Sequence, residues 1–148
     1  MSRKIAREIA LHTLYELTYD VQSPEDTLAS LVSEETRARL AEEVAVYAKP
    51  LSEKDEEFVR RLVLGVTDRR EMLDEEIGKR SINWKTERIS RVALSVLRMA
   101  ALEILYLQED DAAVSINEAV ELTKKYDGPE SAAFVNGILG TLIRDNGQ

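Results

Sequence analysis

The sequence predicts an all-α fold, and three observations carry that expectation. Only three prolines and six glycines interrupt 148 residues. Strong helix formers, Ala, Leu, Glu and Arg, abound between them. Placed at 100° per residue, the apolar residues of each segment fall on one face. The length suits a single domain over 1–148, and folding a chain of this size buries roughly two thirds of its unfolded surface.

The first helix is expected from Ser2, a good N-cap, to about Asp20, with Ala6, Ile9, Ala10, Leu14 and Leu17 inward and Pro24 breaking it. A more polar helical region runs from Pro24 to Tyr47, in two pieces if the run Ser33-Glu34-Glu35-Thr36 interrupts it, and Pro50 ends it. Ser52 and Asp55 form a near capping box that opens one long helix, its inner stripe Phe58, Val59, Leu62, Val66, Leu73 and Ile77. Gly65 inside that helix predicts a close helix crossing. The polar-flanked stretch Ser81-Ile82-Asn83-Trp84 divides the chain into helical halves of about 1–80 and 81–148.

From Thr86 to about Leu107 a helical region, one piece or two at an angle, turns Ile89, Val92, Ala93, Val96, Leu97, Ala100 and Ile104 inward. The next helix starts at Asp111 or at Ser115, carries Ile116, Ala119, Val120 and Thr123, and stops at Asp127-Gly128-Pro129. Pro129 at a first helical position launches the last helix, which buries Phe134, Val135, Ile138, Leu139, Leu142 and Ile143.

Composition excludes several function classes. No cysteine means no disulfide, thiolate ligand or thiol nucleophile, and a single histidine rules out a His-rich metal site. A Ser/His/Asp triad would have to use His12, which lies between the apolar stripe and the acidic side of the first helix and reads more simply as a boundary histidine. Gly137 and Gly140 lie inside an amphipathic helix, so there is no Gly-rich phosphate loop. No catalytic residue, metal or cofactor is expected. No apolar run approaches the roughly 20 residues of a membrane span, and the start of the chain lacks the apolar stretch of a signal peptide, so a cytoplasmic address is expected.

A net charge of −8 repels phosphate at long range, so any RNA site must be a local basic island. One candidate is the N-terminus, where Arg3, Lys4 and Arg7 precede the first acid, Glu8. Cations in the first turns oppose the positive end of the helix macrodipole, so helix stability did not place them there. Lys4, Arg7, Leu11 and Tyr15 follow i, i+3, i+7, i+11 spacing and form a strip in which cations could hold phosphates while Tyr15 stacks a splayed base. The same strip is equally a helix end with scattered charge and a core-edge Tyr15. A second candidate is the low surface formed by Asn136, Gly137 and Gly140, open to a backbone or a ribose or else filled by a neighbouring helix. Lys124 and Lys125 complement a helix C-terminus.

Together these stretches resemble the NusB family of bacterial transcription antitermination factors. The residues concerned are Arg7-Glu8, Ala10 and Leu14-Tyr15; Leu62-Val63-Leu64-Gly65-Val66; Trp84 with Arg88; and Leu97-Arg98-Met99-Ala100 with Glu103. The most specific are Ile116-Asn117-Glu118-Ala119-Val120-Glu121-Leu122 and Phe134-Val135-Asn136-Gly137-Ile138-Leu139. The resemblance implies two three-helix bundles packed roughly perpendicular, with Trp84 near their junction. It implies a protein that pairs with NusE, ribosomal protein S ten, binds boxA RNA of nascent ribosomal RNA leaders, and acts indirectly on RNA polymerase with other Nus factors. RNA-binding residues expected on these grounds are Arg3, Lys4, Arg7 and Tyr15, with Lys124, Ser131, Phe134 and Asn136 toward the C-terminal end. Glu71, Asp74, Glu75 and Glu87 are expected to face the basic partner. The chain departs from the family in having two arginines and one lysine where relatives begin with a denser arginine run, and Ala112-Ala113 where relatives often carry a proline. Two alternatives belong to other classes: an RNA-binding module of a system that modifies ribosomal RNA, which the absence of a catalytic domain after Gln148 opposes, and a self-associating helical homodimer.

Overall fold

In the computed structural model, residues 3–18, 51–81 and 89–147 are described. Every regular element among them is helical, and no strand occurs: α1 (Lys4–Leu17), α2 (Glu53–Asp68), α3 (Arg70–Arg80), α4 (Arg91–Leu102), a π-helical turn (Glu103–Leu107), α5 (Ala112–Asp127) and α6 (Pro129–Asp145). The expected helices between Pro24 and Tyr47, and the placement of Trp84, Glu87 and Arg88, lie outside the described residues. The chain divides into two compact units, 1–67 and 68–148. α3 packs on α4 and α6 and belongs to the second unit.

In the first unit α1 begins later and ends sooner than expected. Its N-cap is Arg3, which provides no side-chain cap, while Thr18 closes the other end by donating its hydroxyl to the Tyr15 carbonyl at 2.6 Å. Ala6, Ile9, Ala10 and Leu14 are buried as their spacing demands, and so are Arg7, Glu8, Leu11 and Thr13. Thr13 satisfies its hydroxyl on the Ile9 carbonyl, the usual solution for a buried threonine in a helix. At α2 the Ser52 hydroxyl accepts from the Asp55 N–H, and Glu53, Asp55 and Glu56 in the first turn suit the positive helix end. Phe58, Val59, Leu62, Val63 and Val66 form its buried stripe.

One long helix was expected over Ser52–Ile77; two occur. Arg69, at φ −114° and ψ 18°, leaves helical geometry and caps α3 without a side-chain bond. Leu73 and Ile77 are buried from α3. In the second unit α4 touches α3, α5 and α6 and is buried all round from Ser95 to Leu102. Ser90 is its N-cap: the hydroxyl accepts from the Ala93 N–H and donates to Asp127 at the end of α5. Ile89, Ala93, Val96, Leu97, Ala100 and Ile104 are buried as expected, with Val92 only half-buried.

α4 does not turn a corner into a second α-helix but widens into the π turn, closed by Gln108 donating its N–H to the Glu103 carbonyl at 2.8 Å. Gln108 then sits in left-handed geometry at φ 49°. Of the two starts weighed for α5, Asp111 is the N-cap, and Ser115 is buried with its hydroxyl bonded to Glu103 at 3.1 Å. Gly128, at φ 99° and ψ 172°, makes the turn into α6 in a region that only glycine enters without strain. Pro129 follows at the first helical position, and Ala132, Val135, Ile138, Leu139 and Leu142 are buried.

Candidate nucleic-acid interface

The basic strip of α1 is not uniformly open. Lys4 and Tyr15 are exposed, Arg3 is half-buried, and Arg7 and Leu11 are buried, Arg7 to 2% exposure. Arg7 thus lies inside the unit beside Phe58, while Lys4 reaches solvent. Lys4 and Tyr15 stand about 16 Å apart along the axis at 1.5 Å per residue, so a strand touching both would span several nucleotides.

Three arginines converge on one ring in this unit. The guanidinium carbons of Arg3, Arg7 and Arg61 lie 4.2, 5.4 and 5.7 Å from the Phe58 centroid. Phe58 is itself buried, so it organises cations and offers no open face to a base. Arg61 also meets Glu57 at 3.3 Å along α2. Reading the sequence missed this gathering, because the ring and Arg3 are more than fifty residues apart; the signal was an aromatic at i, with Arg at i+3, on a helix facing a basic terminus.

In the second unit, Lys124 is exposed near the end of α5, while Ser131 and Phe134 lie half-buried on one flank of α6 just after the Gly128 turn. Phe134 was also expected in the core stripe, and it sits at its edge. Asn136 is exposed, but at two residues from Phe134 it projects about 160° further round, so these two do not share one surface. Its companion Gly137 is open: a Cβ built there would meet no atom within 4 Å, and at Gly140 only the Arg144 guanidinium at 3.9 Å. Among the described residues no neighbouring helix fills that low face.

Among the expected partner residues, Glu71 and Glu75 are exposed on α3. Asp74 is half-buried and takes both of its hydrogen bonds from Arg98, at 2.7 Å from Nε and 2.9 Å from Nη2, so its carboxylate is committed inside the unit. Nearby, hydrogen bonds from Arg80 and then Lys79 hold the Glu76 carboxyl below the ordinary carboxylate range. Arg80 also reaches Asp145 at 2.8 Å, tying α3 to the end of α6. A cavity of about 640 Å³ beside the π turn is lined by Glu103, Gln108, Asp110 and Asp111 with Ile104, Ile116 and Ile143, a setting that disfavours phosphate.

Among the described residues no group of three or more His, Asp or Glu side chains is placed to hold a metal ion. No helix among them is long and apolar enough to cross a membrane. His12, the one histidine of the chain, is half-buried on α1.

Residues 4–144 match the NusB family. The chain is 36% identical over 143 residues to the transcription antitermination protein NusB of Clostridium botulinum (strain Kyoto / Type A2), covering 97% of this chain and all of that one. It is 43% identical over 140 residues to the protein of the same name from Carboxydothermus hydrogenoformans, covering 95% and 91%. Its fold is similar to that of T. maritima NusB, with a TM-score of 0.81 at 26% identity over 98% of this chain and 92% of that one. It is also similar in fold to a crystal structure of antitermination factors NusB and NusE in complex with dsRNA, with a TM-score of 0.80 at 23% identity over 97% and 96%.

Proposed function

The chain belongs to the NusB family, and from that premise we propose that it is a transcription antitermination factor that binds boxA-type RNA of nascent ribosomal RNA leaders together with NusE. It works by assembly rather than by catalysis. The observation that carries the reading is the charge contrast: a chain of net charge −8 keeps Arg3 and Lys4 at the solvent-facing start of α1, with Tyr15 exposed on the same helix. Cations there gain nothing from the helix dipole and gain much from phosphate. An exposed tyrosine about three turns away supplies a stacking platform for a base of a single strand.

Lys124, Ser131 and Phe134, around the α5–α6 turn, would supply further RNA contacts on the second unit, and Asn136 a separate one on the other flank of α6. Toward a basic protein such as NusE, the exposed carboxylates of Glu71 and Glu75 steer encounter, whereas Asp74 contributes by holding Arg98. Glu87, outside the described residues, is proposed for the same role toward the basic partner. A homodimer that covers the RNA surface is the state against which these contacts compete.

The test is to titrate boxA RNA with the chain alone, with NusE alone and with both, and to repeat it with a scrambled RNA of equal length. The reading expects binding by the pair to exceed that of either protein and to favour boxA. Equal binding of both RNAs, or no gain from NusE, would remove it.

A further inference from the structure

We propose that Arg61, on α2, is an additional RNA phosphate contact, and that Phe58 aligns it with Arg3 to make one two-arginine phosphate site shared by α1 and α2. This rests on the RNA-binding reading above and assigns it a residue from a second helix.

The geometry starts from the ring. Arg3 lies 4.2 Å and Arg61 5.7 Å from the Phe58 centroid, so the two guanidinium carbons are no farther apart than the sum of those distances. A phosphate has several acceptor oxygens, and two planar forks at that separation can bind one phosphate or two successive ones on a strand. Like charges gathered on one ring repel each other, and an anion bound beside them relieves that repulsion. Burial of the ring fixes its position, so each guanidinium loses little freedom on binding.

Arg7 shares the ring at 5.4 Å but is buried, which leaves Arg3 and Arg61, both half-buried, as the cations of the cluster with access to solvent. The 3.3 Å ion pair between Arg61 and Glu57 is no obstacle. Glu57 is 70% exposed and the pair is an i, i+4 contact on a helix surface, where ion pairs contribute little, so a phosphate can replace it. Arg60, one residue earlier and exposed, projects about 100° away on α2 and does not touch the ring, so it provides the matched control.

The experiment measures affinity for boxA RNA across a salt series, with NusE present, for the wild type and for Arg3→Gln, Arg61→Gln, Arg61→Lys and Arg60→Gln, alongside the melting temperature of each. Arg61→Gln should lower the slope of log K against log salt by about 0.7, so that raising salt from 50 to 200 mM weakens the variant about 2.5-fold less than the wild type. Arg61→Lys should retain most of the slope, since the charge remains. Arg60→Gln should keep the wild-type slope. If Arg3→Gln lowers the slope and Arg61→Gln does not, or if Arg60→Gln lowers it as much as Arg61→Gln, the two-arginine site is wrong while RNA binding by α1 stands. A drop in melting temperature for Arg61→Gln with wild-type slope and affinity would make the cluster purely structural and overturn the proposal. If Arg3→Gln also leaves slope and affinity unchanged, the RNA-binding reading of α1 fails, and the Arg61 site fails with it.

Discussion

Arg3 stacks on Phe58, its guanidinium carbon 4.2 Å from the ring centroid, so the first described residue of the chain is anchored to a helix that begins fifty residues later. The contact holds the start of α1 against α2 and leaves the neighbouring Lys4 in solvent. A basic terminus held in this way presents its charge in a defined direction, which a frayed one would not.

The cations of α1 should separate into two kinds. Arg7→Ala removes a buried guanidinium and its stem and leaves a hole beside Phe58, so unfolding in urea should show a loss of about 2 kcal/mol. Lys4→Ala should change stability by less than about 0.5 kcal/mol, or raise it slightly by removing a cation from a helix N-terminus. Equal effects of the two substitutions would mean that Arg7 is not the buried strut the structure makes it.

The Asp74–Arg98 pair should act on folding more than on recognition. Arg98 is almost fully buried and Asp74 half-buried, so Asp74→Ala strands a guanidinium that has lost two charge-assisted bonds. A cost of about 2–3 kcal/mol is expected, with Asp74→Asn losing less because one bond can persist. Under conditions where the variant stays folded, its association rate with NusE should match that of the wild type, whereas reversing Glu71 and Glu75 should slow it. A stable Asp74→Ala variant that associates slowly would place Asp74 in the partner surface instead.

Much of the fold was legible because it depends on local periodicity and punctuation. The stripes Phe58-Val59-Leu62-Val66 and Val135-Ile138-Leu139-Leu142, the Ser52 cap and the Gly128-Pro129 turn follow from residues within one or two turns of each other. What was illegible depends on distant partners. Nothing in Thr67-Asp68-Arg69-Arg70 breaks a helix by propensity, yet the chain leaves helical geometry at Arg69, and α3 joins the second unit. The π turn contains no Gly or Pro and ends on a glutamine in left-handed geometry. Likewise, only a three-dimensional arrangement reveals that Arg7 is interior while Lys4 is not.

That glutamine predicts a stabilising change. A residue with a Cβ at φ 49° costs about 1 kcal/mol relative to glycine, so Gln108→Gly should raise the melting temperature, offset in part by the extra freedom glycine has when unfolded. A lower melting temperature would mean that the glutamine side chain holds the end of the π turn by contacts that outweigh the strain.

Ser95 offers a second. Its hydroxyl is buried on α4 and, among the described residues, is the buried side-chain polar atom without a hydrogen-bond partner. Ser95→Ala removes an unsatisfied group with little change of shape, and thermal unfolding should show a gain of about 1 kcal/mol. A loss instead would show that the hydroxyl is satisfied in solution.

The claim that the cations at the start of α1 bind RNA is tested most directly by fluorescence anisotropy of boxA RNA over a salt series, with NusE present, on the wild type and on the variant Arg3→Ala/Lys4→Ala. Each phosphate contact on a single strand contributes roughly 0.7 to the slope of log K against log salt, so the double variant should bind more weakly with a slope lower by about 1.4. Its preference for boxA over a scrambled RNA should survive better than its affinity, because phosphate contacts position a strand without reading its bases. A double variant with the melting temperature, affinity and salt slope of the wild type would contradict the account and place the RNA elsewhere on the protein.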